Sequence, residues 1–187
     1  SAPRRPASSR PPVPAEPDSK RINPILSGTV QVSGKLSQWQ AKAEGRLVRG
    51  KESARFRLQG TGTQTALQLS ELDIRTAVGG LNGKLKAQWQ PDMDFAFSGR
   101  MQRFDPAYFH PDFPGAVDAD VQFSAASQAG AEWRGLLKID RLGGKLRGRV
   151  LAGKADLRYQ GLAVSGTADL KAGASHVLLD GSSGKTL

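Results

Sequence analysis

The chain has 187 residues, 38% of them hydrophobic, with 22 glycines, no cysteine and a net charge of +10. That length holds one domain with little to spare, and the lack of cysteine excludes a disulfide framework and a thiolate metal site. No apolar run approaches the roughly eighteen residues of a membrane-spanning helix and Ser1 opens no signal-peptide pattern, so any anchor or leader of the parent is expected outside this stretch.

Residues 1–24 hold seven of the eleven prolines, with Arg4, Arg5, Arg10, Lys20 and Arg21 among Ser and Ala. Such a stretch buries too little apolar surface to offset ordering, so 1–24 is expected to be a disordered Pro/Arg-rich linker. From Ile25 the pattern changes and holds to the end, giving a second region, 25–187.

There the chain alternates apolar and polar residues. Val30 and Val32 flank Gln31, and Trp39, Ala41, Ala43, Gly45 and Leu47 alternate with Gln40, Lys42, Glu44 and Arg46. Phe56 and Leu58 follow. Leu67 and Leu69 are odd-numbered but Leu72 and Ile74 even, which places a turn or bulge near Ser70-Glu71. Leu81, Leu85, Ala87 and Trp89 continue the alternation, then Phe95, Phe97 and Met101 after a turn at Pro91-Asp92. Further on come Val117, Ala119, Val121 and Phe123, then Trp133, Leu137 and Ile139, then Leu146 and Val150, Leu157 and Tyr159, and two last strands at 162–170 and 176–180. Period two with no sustained helical spacing predicts roughly ten to twelve antiparallel strands. Glycines inside strands, among them Gly45, Gly60, Gly83, Gly99, Gly135 and Gly166, mark bends. The fold expected is all-β: a long antiparallel meander curled into an open groove (a β-taco) with an apolar interior.

One stretch breaks the pattern. Phe104 to Gly115 reads F-D-P-A-Y-F-H-P-D-F-P-G and holds four of the twelve aromatics, Phe104, Tyr108, Phe109 and Phe113. Asp105 suits a helix N-cap and Pro106 the first helical position, with Phe104 and Phe109 placed as a hydrophobic staple. A short helical turn near 105–110 follows, with a second turn expected at Pro114-Gly115. The four aromatics are expected to plug an open end or edge of the sheet.

Chemistry finds little support. His110 and His176 are the only histidines and match no triad or metal spacing. Asp118 and Asp120 share a face, as alternate strand residues do, and read as solvation. No catalytic residue, metal ligand or cofactor is therefore expected, and the chain is not expected to be an enzyme. The positive charge points to polyanions or to solvated strand faces, and its spread along the chain favours the latter. Nucleic acid is not an expected partner: Arg55, Arg57, Lys84 and Lys86 alternate with apolar residues, whereas single-strand binders mix basic and aromatic side chains on one face.

The F-D-P-A-Y-F-H-P-D-F-P-G segment, the following V-D-A-D-V-Q-F strand, L-N-G-K-L-K-A-Q-W at 81–89 and G-K-A-D-L-R-Y-Q-G-L at 153–162 together resemble the TamB proteins. The resemblance implies an internal piece of a long β-groove of the AsmA-like, bridge-type class, in the periplasm of a Gram-negative bacterium, with the parent anchored in the inner membrane. It implies roles in phospholipid passage between membranes and in outer-membrane protein assembly, autotransporters included, with the outer-membrane barrel TamA as a partner. On that basis the expected function is to shield lipid acyl chains on a lining of Leu85, Ala87, Trp89, Phe95, Phe97, Val117, Val121, Phe123, Trp133, Leu137 and Ile139. The alternatives are a chaperone-like scaffold whose free edges pair with nascent outer-membrane strands, and a β-sandwich spacer.

Overall fold

Alternation of this kind gives a strand one greasy and one wet face, and antiparallel neighbours align like faces only when they stay in register. The computed structural model describes residues 25–128 and 131–183, so the linker expected over 1–24 lies outside the described residues. Eleven strands follow one another: β1 (Ile25–Lys35), β2 (Gln38–Arg49), β3 (Glu52–Gly62), β4 (Ala66–Arg75), β5 (Gly80–Gln88), β6 (Met93–Phe104), β7 (Gly115–Ser127), β8 (Arg134–Leu146), β9 (Arg149–Gln160), β10 (Ala163–Ala172) and β11 (Ser175–Ser183). They form one sheet in chain order, all pairs antiparallel, with β1 and β11 as its edges among the described residues. The sheet is open and unclosed. Only one helical element occurs among the described residues, a 3-10 turn at Pro106–Tyr108.

Register gathers the apolar residues. One unbroken cross-strand row runs Val30, Ala43, Leu58, Leu72, Gly83, Gly99, Val121, Ile139, Ala155, Ala168, Leu179. The next runs from Val32 through Leu69, Leu85, Phe97, Phe123, Leu137 and Leu157. The opposite face carries charges of alternating sign: Glu44, Arg57, Asp73, Asn82, Arg100, Asp120 and Arg141 stand in register. Asp120 is paired with both Arg100 and Arg141, and the Asp118 carboxylate accepts the Arg103 backbone N–H.

The parity change in β4 is a bulge. Register shifts occur between Leu69 and Leu72 against β5, and further shifts fall at Met101/Phe104 and Ile139/Leu142. Each shift bends its strand and keeps the apolar set on one side. The predicted turn at Pro114-Gly115 is not formed. The chain turns earlier, with the Phe113 N–H donating to His110 O, and Gly115 already opens β7, paired with Leu146 of β8 while its N–H donates to the Asp105 carboxylate. Leu146 and Val150, read as one strand, end β8 and begin β9. Between them Arg147 and Gly148 both take positive φ, 50° and 75°. Arginine seldom does so, and no Asn-Gly or Asp-Gly signal announces the hairpin.

No large side chain is wholly buried among the described residues. Near-complete burial is confined to small residues such as Ala119 and Ala155, and to Phe104, Tyr108 and Val117 around the plug. A sandwich needs a second sheet to cover the first. Here there is one sheet, and its apolar face has no covering layer among the described residues.

Candidate functional site

The candidate site is the apolar face. Its floor is smoothed by aromatic rings lying over glycines of neighbouring strands. The Trp39 ring occupies the space a Cβ at Gly62 would need, Phe56 does so at Gly45, and Tyr159 at Gly135. Tyr159 also reaches across β8 to donate its hydroxyl to Ser124 O at 3.1 Å. Phe97 leans over Gly99 on its own strand. Glycine beside an aromatic lets the ring lie down on the sheet, which flattens the surface without adding polar atoms.

Register brings most of the expected lining together. Leu85, Phe97, Phe123 and Leu137 are consecutive partners, Ala87 faces Phe95, and Val121 faces Ile139. Val117 sits opposite Phe104 at the plugged end. Trp89 and Trp133 fall just outside their strands, at the other end of the face, where the Trp133 ring stacks on Phe95 with centroids 6.2 Å apart. The Trp89 indole N–H is spent on Gln64 O at 3.1 Å. Of the central row the expected list has only Val121 and Ile139 and omits the rest, including Ala43, Leu58, Leu72, Ala155, Ala168 and Leu179; the same alternation that marked the others marks these.

The loop expected to act as a plug lies at one end of the sheet, between β6 and β7. Asp105 is the N-cap of the 3-10 turn and its carboxylate accepts from Ala107 N at 3.0 Å and Gly115 N at 2.9 Å, clamping both ends of the excursion. Phe104 and Phe109 stack with centroids 5.9 Å apart, as the staple requires. The turn then reaches back towards the first strands: the Arg49 guanidinium at the end of β2 donates to Ala107 O at 2.6 Å. Tyr108 is 5% exposed and Phe104 7%, whereas Phe109 and Phe113 point outward. Of the four aromatics, then, two are enclosed and two are displayed.

Burial pushes the Tyr108 phenol above its ordinary value, with the charges of Glu52 and Asp105 pushing the same way. A phenol pKa raised in the folded chain means that stability is intact below the unfolded value of about 10 and is lost as pH rises through the folded value. Tyr108→Phe should therefore keep stability that the parent loses in strong alkali. Urea midpoints at roughly pH 8 and roughly pH 11 check this: the parent's drop should exceed that of Tyr108→Phe.

Compared with protein families, residues 24–187 match the family described as "TamB, N-terminal domain". The chain belongs to the TamB family. No curated protein and no solved structure matches it. TamB membership implies a parent protein that spans the envelope from an inner-membrane anchor. The stretch that carried the resemblance is, in this TamB domain, the plug with its flanking strands. Arg49, which ties the plug to β2, gives no sequence signal, because it lies 58 residues from Ala107.

Proposed function

We propose that this TamB domain shields phospholipid acyl chains on its apolar face as they cross the periplasm between the inner and outer membranes. It would have no catalytic chemistry, metal or cofactor of its own. The observation that carries the reading is the unbroken apolar row from Val30 to Leu179 on a face without a covering layer among the described residues. Non-directional burial of about 0.8 kcal/mol per methylene favours any acyl chain over a particular headgroup. Through the parent, the same groove would serve outer-membrane protein assembly alongside TamA. Organic extraction of the purified chain followed by mass spectrometry tests the reading: co-purifying phospholipid is expected, and a folded chain that never carries lipid would defeat it.

A second reading rests on the edge. All eleven residues of β1 are exposed, no charge occurs before Lys35, no proline interrupts it, and its register with β2 is unbroken. Free edges are usually blunted by charge, proline or bulges. An edge without them suits pairing with another extended strand, such as a nascent outer-membrane strand.

A further inference from the structure

In an antiparallel meander successive turns alternate ends, so the turns after β2, β4, β6, β8 and β10 share the plugged end. Charge that is scattered in the sequence is collected there. Counting each turn with two flanking strand residues on either side, the plugged end holds eight Lys and Arg against Glu52, Asp105 and Asp112. The opposite end, counted alike, holds Lys35 and Arg134 against Asp92, Asp94 and Glu132. The plugged end thus carries a net charge of +5 and the opposite end −1.

Apolar tips are exposed at both ends, with Leu36, Trp89, Met93, Trp133 and Leu162 at the opposite one, but only at the plugged end do they accompany an excess of basic residues. Phe109 is 57% exposed, Val78 55%, Val150 57% and Phe113 39%, from three different turns and their flanks. Basic side chains stand among them: Lys51 in the β2–β3 turn, Arg147 with its guanidinium 5.6 Å from the Phe113 ring centre, and Arg149 at the start of β9. Below them on the polar face, Arg46, Arg55 and Arg75 are direct cross-strand neighbours. Like charges placed opposite each other are unfavourable. Arg75 is held by Asp73, but Arg46 and Arg55 make no ion pair among the described residues.

We propose that the plugged end docks onto the surface of an anionic phospholipid membrane. Phe109, Phe113 and Val78 enter the headgroup boundary, and the arginines engage lipid phosphates. Aromatic and aliphatic tips among basic residues are what the boundary of an anionic bilayer accommodates: apolar groups reach the upper acyl region while cations stay at the phosphates. The Asp105 clamp matters here, because it presents the tips on a pinned loop and limits the ordering cost of docking. The proposal goes beyond the groove reading. It concerns the end turns, not the floor, and stands whether or not the floor holds lipid.

The test is flotation of the full chain with vesicles of phosphatidylcholine alone and of phosphatidylcholine with added phosphatidylglycerol. Binding is expected only with phosphatidylglycerol and should weaken as salt rises. Arg147→Gln and Arg149→Gln should each weaken it about fivefold. Val78→Ser, which leaves the plug untouched, should weaken it further, and Lys35→Gln with Arg134→Gln at the far end should change nothing. Circular dichroism confirms that each variant is folded; if Arg147→Gln disturbs the plug through Phe113, Arg149→Gln and Val78→Ser still decide. Equal binding to both vesicle types, no binding to either, or folded plugged-end variants that bind as tightly as the parent would overturn the proposal. Lipid content by extraction is read separately, so an empty floor and a failed docking are distinguishable.

Discussion

Tyr108→Ala is expected to destabilise the chain by about 3–5 kcal/mol, the range for deleting a buried aromatic, and so to lower Tm by roughly 6–20 °C for a domain of this size. The size of the effect follows from how little else is buried. No large side chain is sealed off elsewhere, and Tyr108, 5% exposed, and Phe104 are the most enclosed aromatics among the described residues. The tyrosine also sits on the short turn whose Ala107 carbonyl receives the Arg49 guanidinium, so removing it loosens the one hydrogen bond that ties the plug to β2. Differential scanning calorimetry measures the loss. Phe113→Ala, an outward aromatic of the same loop, is the comparison and should cost much less. Equal effects of the two substitutions would mean that the loop is decoration and not a stopper.

Val121→Arg should have the opposite profile, with a small change in stability and a near-complete loss of bound lipid. Val121 is half-buried at the centre of the apolar row, with Gly99 on one side and Ile139 on the other. An arginine placed there cannot stay buried uncompensated, but the face has no covering layer, so its stem can lie along the floor while its tip reaches water. Stability should fall by about 1–2 kcal/mol, near the centre of the range for single substitutions, while the guanidinium obstructs the path of an acyl chain. Asp120→Arg is unsuitable as a control, since it would break two ion pairs and align three arginines. Thr167→Arg is the better one: it lies on the polar face between Asp156 and Asp180. Denaturant titration and lipid extraction together decide. An unfolded Val121→Arg chain would indicate a sealed interior, and a folded one with undiminished lipid would remove the floor from the mechanism.

How much of this was legible in sequence depended on whether the signal was local. Period-two alternation is local, and it marked the strands, the apolar face and even the β4 bulge, where Leu69 and Leu72 change parity. The Asp105-Pro106 cap and the Phe104–Phe109 staple are also short-range, and both formed as expected. What escaped was set by partners distant in the chain. Gly115 was read as a turn residue because proline precedes it, but pairing with Leu146, thirty-one positions later, makes it the first residue of β7. Rings resting on glycines, such as Trp39 over Gly62 and Tyr159 over Gly135, depend on register between strands and leave no mark in either strand alone. The charge asymmetry is the clearest instance. Lys51, Arg103 and Arg147 are far apart in sequence and share one end only because alternate turns of a meander do.

The central claim, an uncovered apolar floor that holds acyl chains, is tested most directly by photolabelling the full chain with a phospholipid whose acyl chain carries a diazirine, and mapping adducts by mass spectrometry. The prediction is labelling of the floor rows, at Leu85, Phe97, Phe123 and Leu137 and at Val121 and Ile139, with the alternating neighbours Lys84, Ser98, Gln122 and Lys138 left unlabelled. A folded chain labelled equally on both faces, or not labelled at all, would contradict it.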